Sequence, residues 1–357
     1  DKTVHTVSVG STGSVNSYEN PKTANIELTK TSGNTKISDN NSNYTLKDAE
    51  YTIYTDSACT KVVKVLTTDE NGKASITGLA LNKYYVKETK ASVGYNLDET
   101  VYTLDLTSST NASITGNVST SEPPKTAEIK LKKESGNSNL TKDNNNYTLS
   151  GAEYTIYKDK ACTQTLHVLV TDENGEAKID GLPLNTYWIM ETKASKGYEL
   201  DKNIYELDLN STTDKMISKT ISSIETPKFA EINLIKTSAK PEYTDDNSAY
   251  SLKGAEYTVY LDADCTKEFK TLITDKDGKA KLSDLPLNKY WIKETKASEG
   301  YQLDNTVYDV DLSVSTDSSI STTIHSEEQP FLYENKLNLV LGKKDSETNK
   351  NKPQGAA

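Results

Sequence analysis

Lysine and glutamate residues recur at strand positions that otherwise carry apolar side chains. In a β-strand, side chains two residues apart share a face. Lys30 therefore shares a face with Ile26 and Leu28, and Glu88 and Glu122 lie on the apolar faces of two later segments. The same three positions return twice, 103 residues apart each time, as Lys133, Glu191, Glu225 and as Lys236, Glu294, Glu328. Because an unpaired buried charge is very costly, we expect the lysine and both glutamates of each set to meet.

The whole sequence around these residues repeats with the same period. The segment AEYTIY occurs at 49–54 and 152–157, and AEYTVY occurs at 255–260. A period of about 100 residues is too long for a solenoid repeat and is the size of a domain. We therefore predict three whole modules in tandem, at residues 23–124, 125–227 and 228–332, with 1–22 as the last strand of a preceding module and 333–357 as the start of a following one.

Each copy consists of short alternating segments between turn signals, with no helical periodicity of useful length. About seven strands in about 100 residues indicate an antiparallel β-sandwich. The sequences DENG (69–72 and 172–175) and DKDG (275–278) predict hairpin turns, because Asn-Gly and Asp-Gly tolerate positive φ. Only short proline-containing pieces such as PPKTAE and TPKFAE separate the copies, so the modules are expected to line up stiffly, end to end.

The composition argues against several classes of protein. The net charge is −11 and arginine is absent, whereas nucleic-acid binding needs clustered basic residues on one face. No run of about 18 apolar residues occurs, so no membrane span is expected in this fragment. The three histidines fall at non-equivalent positions, and no nucleophile motif such as G-x-S-x-G is present. We therefore expect neither an enzyme nor a site for a cofactor or metal.

Cysteine occurs once per copy, at Cys59, Cys162 and Cys265. One cysteine cannot close a disulfide within its own module, and no second cysteine or histidine recurs beside it to bind a metal. We expect small, unpaired residues buried at strand ends and slow to react. A disulfide between chains is the alternative.

Loops rich in Asp, Asn and Ser follow the first strand of each copy. The stretches at 39–43 and 143–146 are weakly similar to calcium-binding loops, but they lack the glycine and the closing glutamate of such loops. These stretches are therefore predicted to be solvated loops.

The repeated motifs resemble a known family. The run A-x-I-x-L-x-K, then L-x-G-A-E-Y, then Y-x-I-x-E-T-K-A-x-x-G-Y, then x-T-P-K is similar to the collagen-adhesin B-type and SpaA-like pilin domains of Gram-positive bacteria. The resemblance covers residues from about 24 to 330 and both ends. It implies an all-β, tandem array of three prealbumin-like, inverse-immunoglobulin sandwiches, placed outside the cell on a cell wall.

Many domains of this family carry an internal isopeptide bond, and the resemblance implies roles for the charged residues. Lys30, Lys133 and Lys236 would be nucleophiles, and Glu88, Glu191 and Glu294 would be proton shuttles. The acceptor departs from the family pattern, because Glu122, Glu225 and Glu328 occupy the place of the usual Asn or Asp. Asn117 is a possible substitute acceptor in the first copy alone. Either an isopeptide bond or a hydrogen-bonded Lys–Glu–Glu cluster without a covalent bond fits this pattern.

Near-identical repetition favours a structural role, because a stalk needs length and not diversity. The expected function is a stalk or spacer in a cell-wall-displayed surface protein or pilin-like adhesin, whose partners are further modules of the same polypeptide. The alternative is an adhesive module that binds a host extracellular-matrix glycoprotein or a glycan through its polar loops. Those loops stay small and polar in all three copies, which favours the stalk.

Overall fold

The computed structural model describes residues 18–332 continuously, together with residues 4, 6, 10, 14 and 16. The strand predicted within 1–22 falls mostly outside the described residues, and the module start predicted for 333–357 falls entirely outside them. The chain divides into two compact units, one ending at Pro227 and one beginning at Lys228. Each unit is described by itself.

Each module contains seven strands and one short helix in the same order. Module 1 comprises β1 (Thr23–Ser32), α1 (Thr35–Ser38), β2 (Glu50–Tyr54), β3 (Val62–Thr67), β4 (Lys73–Leu79), β5 (Asn82–Lys90), β6 (Val101–Leu106) and β7 (Ser113–Glu122). Module 2 comprises β8 (Thr126–Ser135), α2 (Ser138–Thr141), β9 (Glu153–Tyr157), β10 (Thr165–Val170), β11 (Glu176–Leu182), β12 (Asn185–Lys193), β13 (Ile204–Leu209) and β14 (Met216–Glu225). Module 3 comprises β15 (Phe229–Ser238), α3 (Pro241–Thr244), β16 (Glu256–Tyr260), β17 (Glu268–Ile273), β18 (Lys279–Leu285), β19 (Asn288–Lys296), β20 (Val307–Leu312) and β21 (Ser319–Glu328).

The strands of each module form two sheets that pack into a sandwich. In module 1 the sheets have the orders β4-β1-β7 and β3-β2-β5-β6, and modules 2 and 3 repeat both orders. The prediction of three tandem all-β sandwiches is therefore confirmed. The expectation of a wholly antiparallel sandwich is wrong, because the first and last strands of each module run parallel through a ten-residue ladder. In module 1 the chain crosses between the sheets after β6. Strand β7 then lies beside β1 and runs in the same direction.

The predicted hairpin at DENG is also wrong. Strand β3 pairs with β2, and β4 pairs with β1, so residues 69–72 join the two sheets and not two partners within one sheet. The Asp69 carboxylate accepts the backbone N–H groups of Asn71 and Lys73 at 2.8 Å, which closes the turn locally. The Asp and Gly residues of this segment do form a turn, but a turn sequence does not reveal which strand pairs with which.

The core of each module lies between the two sheets and is built from the alternating positions. In module 1, Ile26, Tyr51, Ile53 and Val86 are completely buried. Their strands alternate buried and more exposed positions, as the period of two requires. The same positions lie on the core face in the other two modules, as their burial patterns show.

The loop after α1 is not simply solvated, which corrects the prediction for residues 39–43. The side-chain amides of Asn41 and Asn43 donate to the carbonyl oxygen of Leu184 in module 2, at 3.0 and 2.9 Å. The Tyr44 hydroxyl accepts from the Leu184 N–H at 2.7 Å and donates to the Lys125 carbonyl at 2.8 Å. We call residues 39–44 the junction loop, because its polar side chains satisfy backbone groups of the next module.

Tyr44 also contributes to the hydrophobic core of module 2. Its ring and that of Tyr95 belong to the same buried cluster as Ile129, Leu184 and Tyr187. The two tyrosine rings meet edge to face with centroids 5.9 Å apart. Burying these rings at the module boundary removes apolar surface from water, which stabilises the junction along with its hydrogen bonds.

The cysteines are unpaired but do not lie at buried strand ends. Cys59, Cys162 and Cys265 are half-buried in the turns that follow the second strand of each module. Each has a positive φ of 51–53°, which is unusual for a residue with a side chain. In module 1 the Asp56 carboxylate organises the turn by accepting the N–H groups of Thr60 and Lys61. The local turn, and not packing in the core, therefore fixes the position of the cysteine.

Candidate functional site

Each module places one lysine and two glutamates in its core, and we call each set a triad. In module 1, Lys30 lies on β1 and Glu122 lies on β7, the two parallel neighbours of one sheet. Glu88 lies on β5 of the opposite sheet. All three side chains are at most 2% exposed. The triad thus joins the first strand to the last and spans the two layers of the sandwich.

A glycine turn fixes the backbone at the lysine. The Lys30 N–H donates to the Gly72 carbonyl at 2.8 Å. Gly72 has a φ of +72°, and a Cβ atom there would lie 2.2 Å from the Lys30 carbonyl oxygen. Only glycine therefore lets the DENG turn close against β1 at this point. Gly175 and Gly278 meet Lys133 and Lys236 in the same way.

Each lysine ammonium contacts both glutamates of its module. The Lys30 Nζ atom lies 3.0 Å from Glu88 Oε1 and also contacts Glu122 Oε2. In module 2, Lys133 Nζ lies 2.8 Å from Glu191 Oε1 and 2.7 Å from Glu225 Oε2. In module 3, Lys236 Nζ lies 2.9 Å from Glu294 Oε1 and 3.2 Å from Glu328 Oε1. The structure thus brings all nine predicted residues together as three triads.

A backbone donor holds the second oxygen of the fifth-strand glutamate. The Asp98 N–H donates to Glu88 Oε2 at 2.6 Å, and Asp98 in turn accepts the Tyr102 hydroxyl at 2.6 Å. The same N–H contact reaches Glu191 from Asp201 and Glu294 from Asp304. This glutamate is therefore oriented with one oxygen on the backbone and one on the lysine.

Hydroxyl groups hold one oxygen of the last-strand glutamate. In module 2, the Tyr154 hydroxyl donates to Glu225 Oε1 at 2.7 Å, and the Ser223 hydroxyl donates to the same atom at 2.5 Å. Tyr51 with Thr120, and Tyr257 with Ser326, make the corresponding contacts in modules 1 and 3.

Burial shifts the protonation chemistry of the triads. Removal from water lowers the pKa of Lys30, although the neighbouring Glu88 opposes this. Burial raises the pKa of Glu191 and of Glu294, against the opposing effect of their hydrogen bonds. Two carboxyl groups beside one ammonium leave one negative charge in excess, and an added proton makes the site neutral. Burial therefore shifts Lys30 toward the neutral amine, and Glu191 and Glu294 toward the protonated acid.

Comparison with known families decides the identity of these modules. Three stretches match the sequence model of SpaA, the prealbumin-like fold domain, at residues 24–122, 125–223 and 237–328. The chain belongs to this family. Each matched stretch contains most of one sandwich. The first ends with β7, the second ends within β14, and the third begins near the end of β15 and ends with β21.

Two of the solved structures that match this chain come from Bacillus species. The Bacillus anthracis TIE protein is 22% identical with a TM-score of 0.63, and the match covers 86% of this chain and 51% of that one. The chain thus spans about half of the length of that protein. BcpA, the major pilin subunit of Bacillus cereus, is 20% identical with a TM-score of 0.37, covering 86% and 99% of the two chains. No curated protein matches the sequence.

The structure argues against Asn117 as the isopeptide acceptor of the first SpaA domain. Asn117 is exposed and points away from the core, because Val118 takes the inward position beside it. The suggestion that Asn117 replaces Glu122 as the acceptor is therefore wrong. Glu122 is the residue of β7 that contacts Lys30.

Sequence reasoning missed the hydroxyl partners of the triads, although a signal for them existed. Tyr51 is the tyrosine of the A-E-Y motif and is completely buried. Thr120 precedes Glu122 by two residues and so shares its face. Both positions repeat with the period of the SpaA domains, as Tyr154 with Ser223 and as Tyr257 with Ser326.

Two negative findings apply to the described part of the chain. No helix within it is long and apolar enough to cross a membrane. No group of three or more His, Cys, Asp or Glu side chains within it is arranged to hold a metal ion.

Proposed function

We propose that this chain is a stalk segment of a protein displayed outside the cell on a Gram-positive cell wall, and that each module is cross-linked by an isopeptide bond. One observation carries this proposal. In all three modules a completely buried lysine of the first strand contacts a buried glutamate of the last strand. The bonds would join Lys30 to Glu122, Lys133 to Glu225, and Lys236 to Glu328.

The position of the triad suits a module that bears load. A pulling force enters module 1 at the beginning of β1 and leaves at the end of β7. Because these strands are parallel neighbours, the force shears their ten-residue ladder along its length. A bond between Lys30 and Glu122 would carry the force directly from β1 to β7. The chain between these two residues, a separation of 92 positions, would then not extend.

The proposed reaction is a condensation that each module performs once on itself. The lysine nitrogen forms a bond to the glutamate Cδ atom, and the bond from Cδ to one carboxyl oxygen breaks. Two protons of the original ammonium leave with that oxygen as water. Glu88, Glu191 and Glu294 contact the lysine nitrogen at 2.8–3.0 Å and so can carry the protons. A single turnover on itself does not make the protein an enzyme.

The proposed partners are further modules of the same polypeptide. In module 1 the junction loop, on which an adhesive role would depend, contacts Leu184 and Asn210 of module 2. Its polar side chains are therefore engaged within the chain. This contact supports the stalk and gives no support to binding of a host glycoprotein or glycan.

Stretching single molecules of the full chain tests the proposal. A cross-linked module 1 should not extend, whereas Lys30→Ala should add one unfolding step of about 300 Å, the extended length of the 92 residues between Lys30 and Glu122. Lys36→Ala, an exposed lysine of α1, is the matched control and should add no step. Full unfolding steps from all modules of the unmodified chain would contradict the load-bearing role.

A further inference from the structure

We propose that two hydroxyl groups in each module act as the oxyanion donors for the isopeptide bond and make glutamate a competent acceptor. This inference rests on the proposed cross-link and adds catalytic residues to it. The pairs are Tyr51 with Thr120, Tyr154 with Ser223, and Tyr257 with Ser326.

The two oxygens of the acceptor carboxyl have different environments. Glu225 Oε1 accepts hydrogen bonds from Tyr154 at 2.7 Å and from Ser223 at 2.5 Å. Glu225 Oε2 lies 2.7 Å from Lys133 Nζ, but the approach does not have hydrogen-bond geometry, and this buried atom has no hydrogen-bond partner. Two donors thus hold Oε1, whereas no hydrogen bond holds Oε2, so Oε2 is the oxygen that can leave.

In modules 1 and 3 the corresponding hydroxyls also hold Oε1, although the lysine contacts Oε2 in module 1 and Oε1, at 3.2 Å, in module 3. Glu328 Oε1 accepts from Tyr257 at 2.7 Å and Ser326 at 2.6 Å, while its buried Oε2 has no hydrogen-bond partner. Glu122 Oε1 accepts from Tyr51 at 2.5 Å and Thr120 at 3.1 Å, while its Oε2 contacts the lysine. A serine in two modules and a threonine in the third supply the same hydroxyl, so the shared feature is the donor and not the side chain's shape.

The division fits the charge that develops during condensation. Attack of Lys133 Nζ on the Cδ atom of Glu225 moves an electron pair onto Oε1, where two donors already point. Donors at about 2.7–3.1 Å in a dry, preorganised site stabilise such an oxyanion strongly. Glu191 takes protons from the lysine nitrogen and delivers them to Oε2, which leaves as water when the carbonyl re-forms on Oε1.

The donors come from opposite layers of the sandwich, which fixes the carboxyl between them. Tyr154 extends from β9, and Ser223 precedes Glu225 by two residues on β14 of the other sheet. Tyr154 is completely buried, and Ser223 is too. Neither hydroxyl can therefore be replaced by bulk water when it is removed.

Bond formation in module 2 provides the test. The full chain is made by cell-free synthesis, and peptide mapping by mass spectrometry follows the Lys133–Glu225 bond over time. The bonds of modules 1 and 3 in the same molecules are internal references. Tyr154→Phe should slow the module 2 bond by about a hundredfold, the usual effect of losing one oxyanion donor. Tyr187→Phe is the control, because it removes a buried hydroxyl whose partner is the Pro183 carbonyl, away from the triad.

Substitutions at Ser223 provide a second test, which does not depend on whether the Tyr154→Phe variant folds. Ser223→Ala should slow the module 2 bond, whereas Ser223→Thr should preserve it, because Thr120 fills this position in module 1. A Tyr154→Phe or Ser223→Ala chain that forms the bond within about twofold of the unmodified rate would overturn this inference alone. Absence of water loss in every module of the unmodified chain would refute both the cross-link and its donors.

Discussion

The triads and the junction loop are both polar sites, but they hold different parts of the molecule together. A triad joins three strands within one module, through charged groups that are almost completely buried. The junction loop joins module 1 to module 2 through the partly buried amides of Asn41 and Asn43 and the hydroxyl of the buried Tyr44, all of which are neutral. The lysine and both glutamates recur unchanged in all three modules, whereas the junction asparagine Asn43 is replaced by Ala249 in module 3.

This difference teaches which contacts a module can lose. A buried ion left without its partner costs several kcal/mol, because the remaining charges stay in a dry core. A neutral hydrogen bond at a partly solvated boundary contributes about 1 kcal/mol net. We therefore expect the triad to decide whether a module is stable and the junction to adjust how firmly two modules are coupled.

The largest effect should follow from removing a triad lysine. Lys133→Ala leaves two buried carboxyl groups without their cation, so module 2 should lose at least about 3 kcal/mol of its free energy of unfolding. Denaturant unfolding followed by Trp188 fluorescence in a Trp291→Phe background reports on module 2 alone, because the chain has only two tryptophans. Lys142→Ala, at an exposed lysine that follows α2, should change the value by less than about 0.5 kcal/mol. A loss of unfolding free energy for Lys133→Ala as small as that of the control would show that Lys133 faces water.

A smaller effect should follow from a change at the junction that lies outside module 2. Tyr44→Phe leaves the Leu184 N–H without its acceptor, and a buried unsatisfied group costs about 1–3 kcal/mol. The loss should appear in the Trp188 signal of module 2, although the substitution lies in module 1. Tyr85→Phe, at a half-buried tyrosine of module 1, is the control. If Tyr44→Phe destabilises only module 1, the junction does not couple the two modules.

The smallest effect should follow from Asn43→Ala. The substitution removes hydrogen bonds to the Leu184 carbonyl and to Asn210, but Asn41 still donates to that carbonyl. We expect module 2 to lose about 0.5–1.5 kcal/mol, measured as for Tyr44. Ser42→Ala, at an exposed position of the same loop, should have no measurable effect. A loss at Asn43 as large as that at Lys133 would erase the distinction between the two sites.

The triads could be predicted from the sequence because strand geometry is local. A period of two places Lys30 on the face of Ile26 and Leu28, and the 103-residue repeat shows that this placement is not an accident. The same parity, applied to Thr120, would also have revealed one hydroxyl partner of Glu122. The parallel pairing of β1 with β7 could not be predicted in this way, because a turn sequence does not record which strand lies next to which.

The junction could not be predicted because its partners are far apart in the sequence and belong to different modules. Asn41 contacts a residue 143 positions away. Nothing in a polar loop distinguishes amides that meet water from amides that meet the backbone of the next module. The positions of the cysteines could not be predicted for a related reason, since their positive φ arises from a turn closed by an aspartate and not from their own apolar character.

Intact mass of the denatured full chain tests the central claim, that each module closes its own isopeptide bond. We predict a mass lower than that of the sequence by three molecules of water, one for each Lys–Glu pair. Lys30→Ala should restore one water and leave the other two bonds in place. A mass equal to that of the unmodified sequence would contradict the claim and leave the triads as non-covalent clusters.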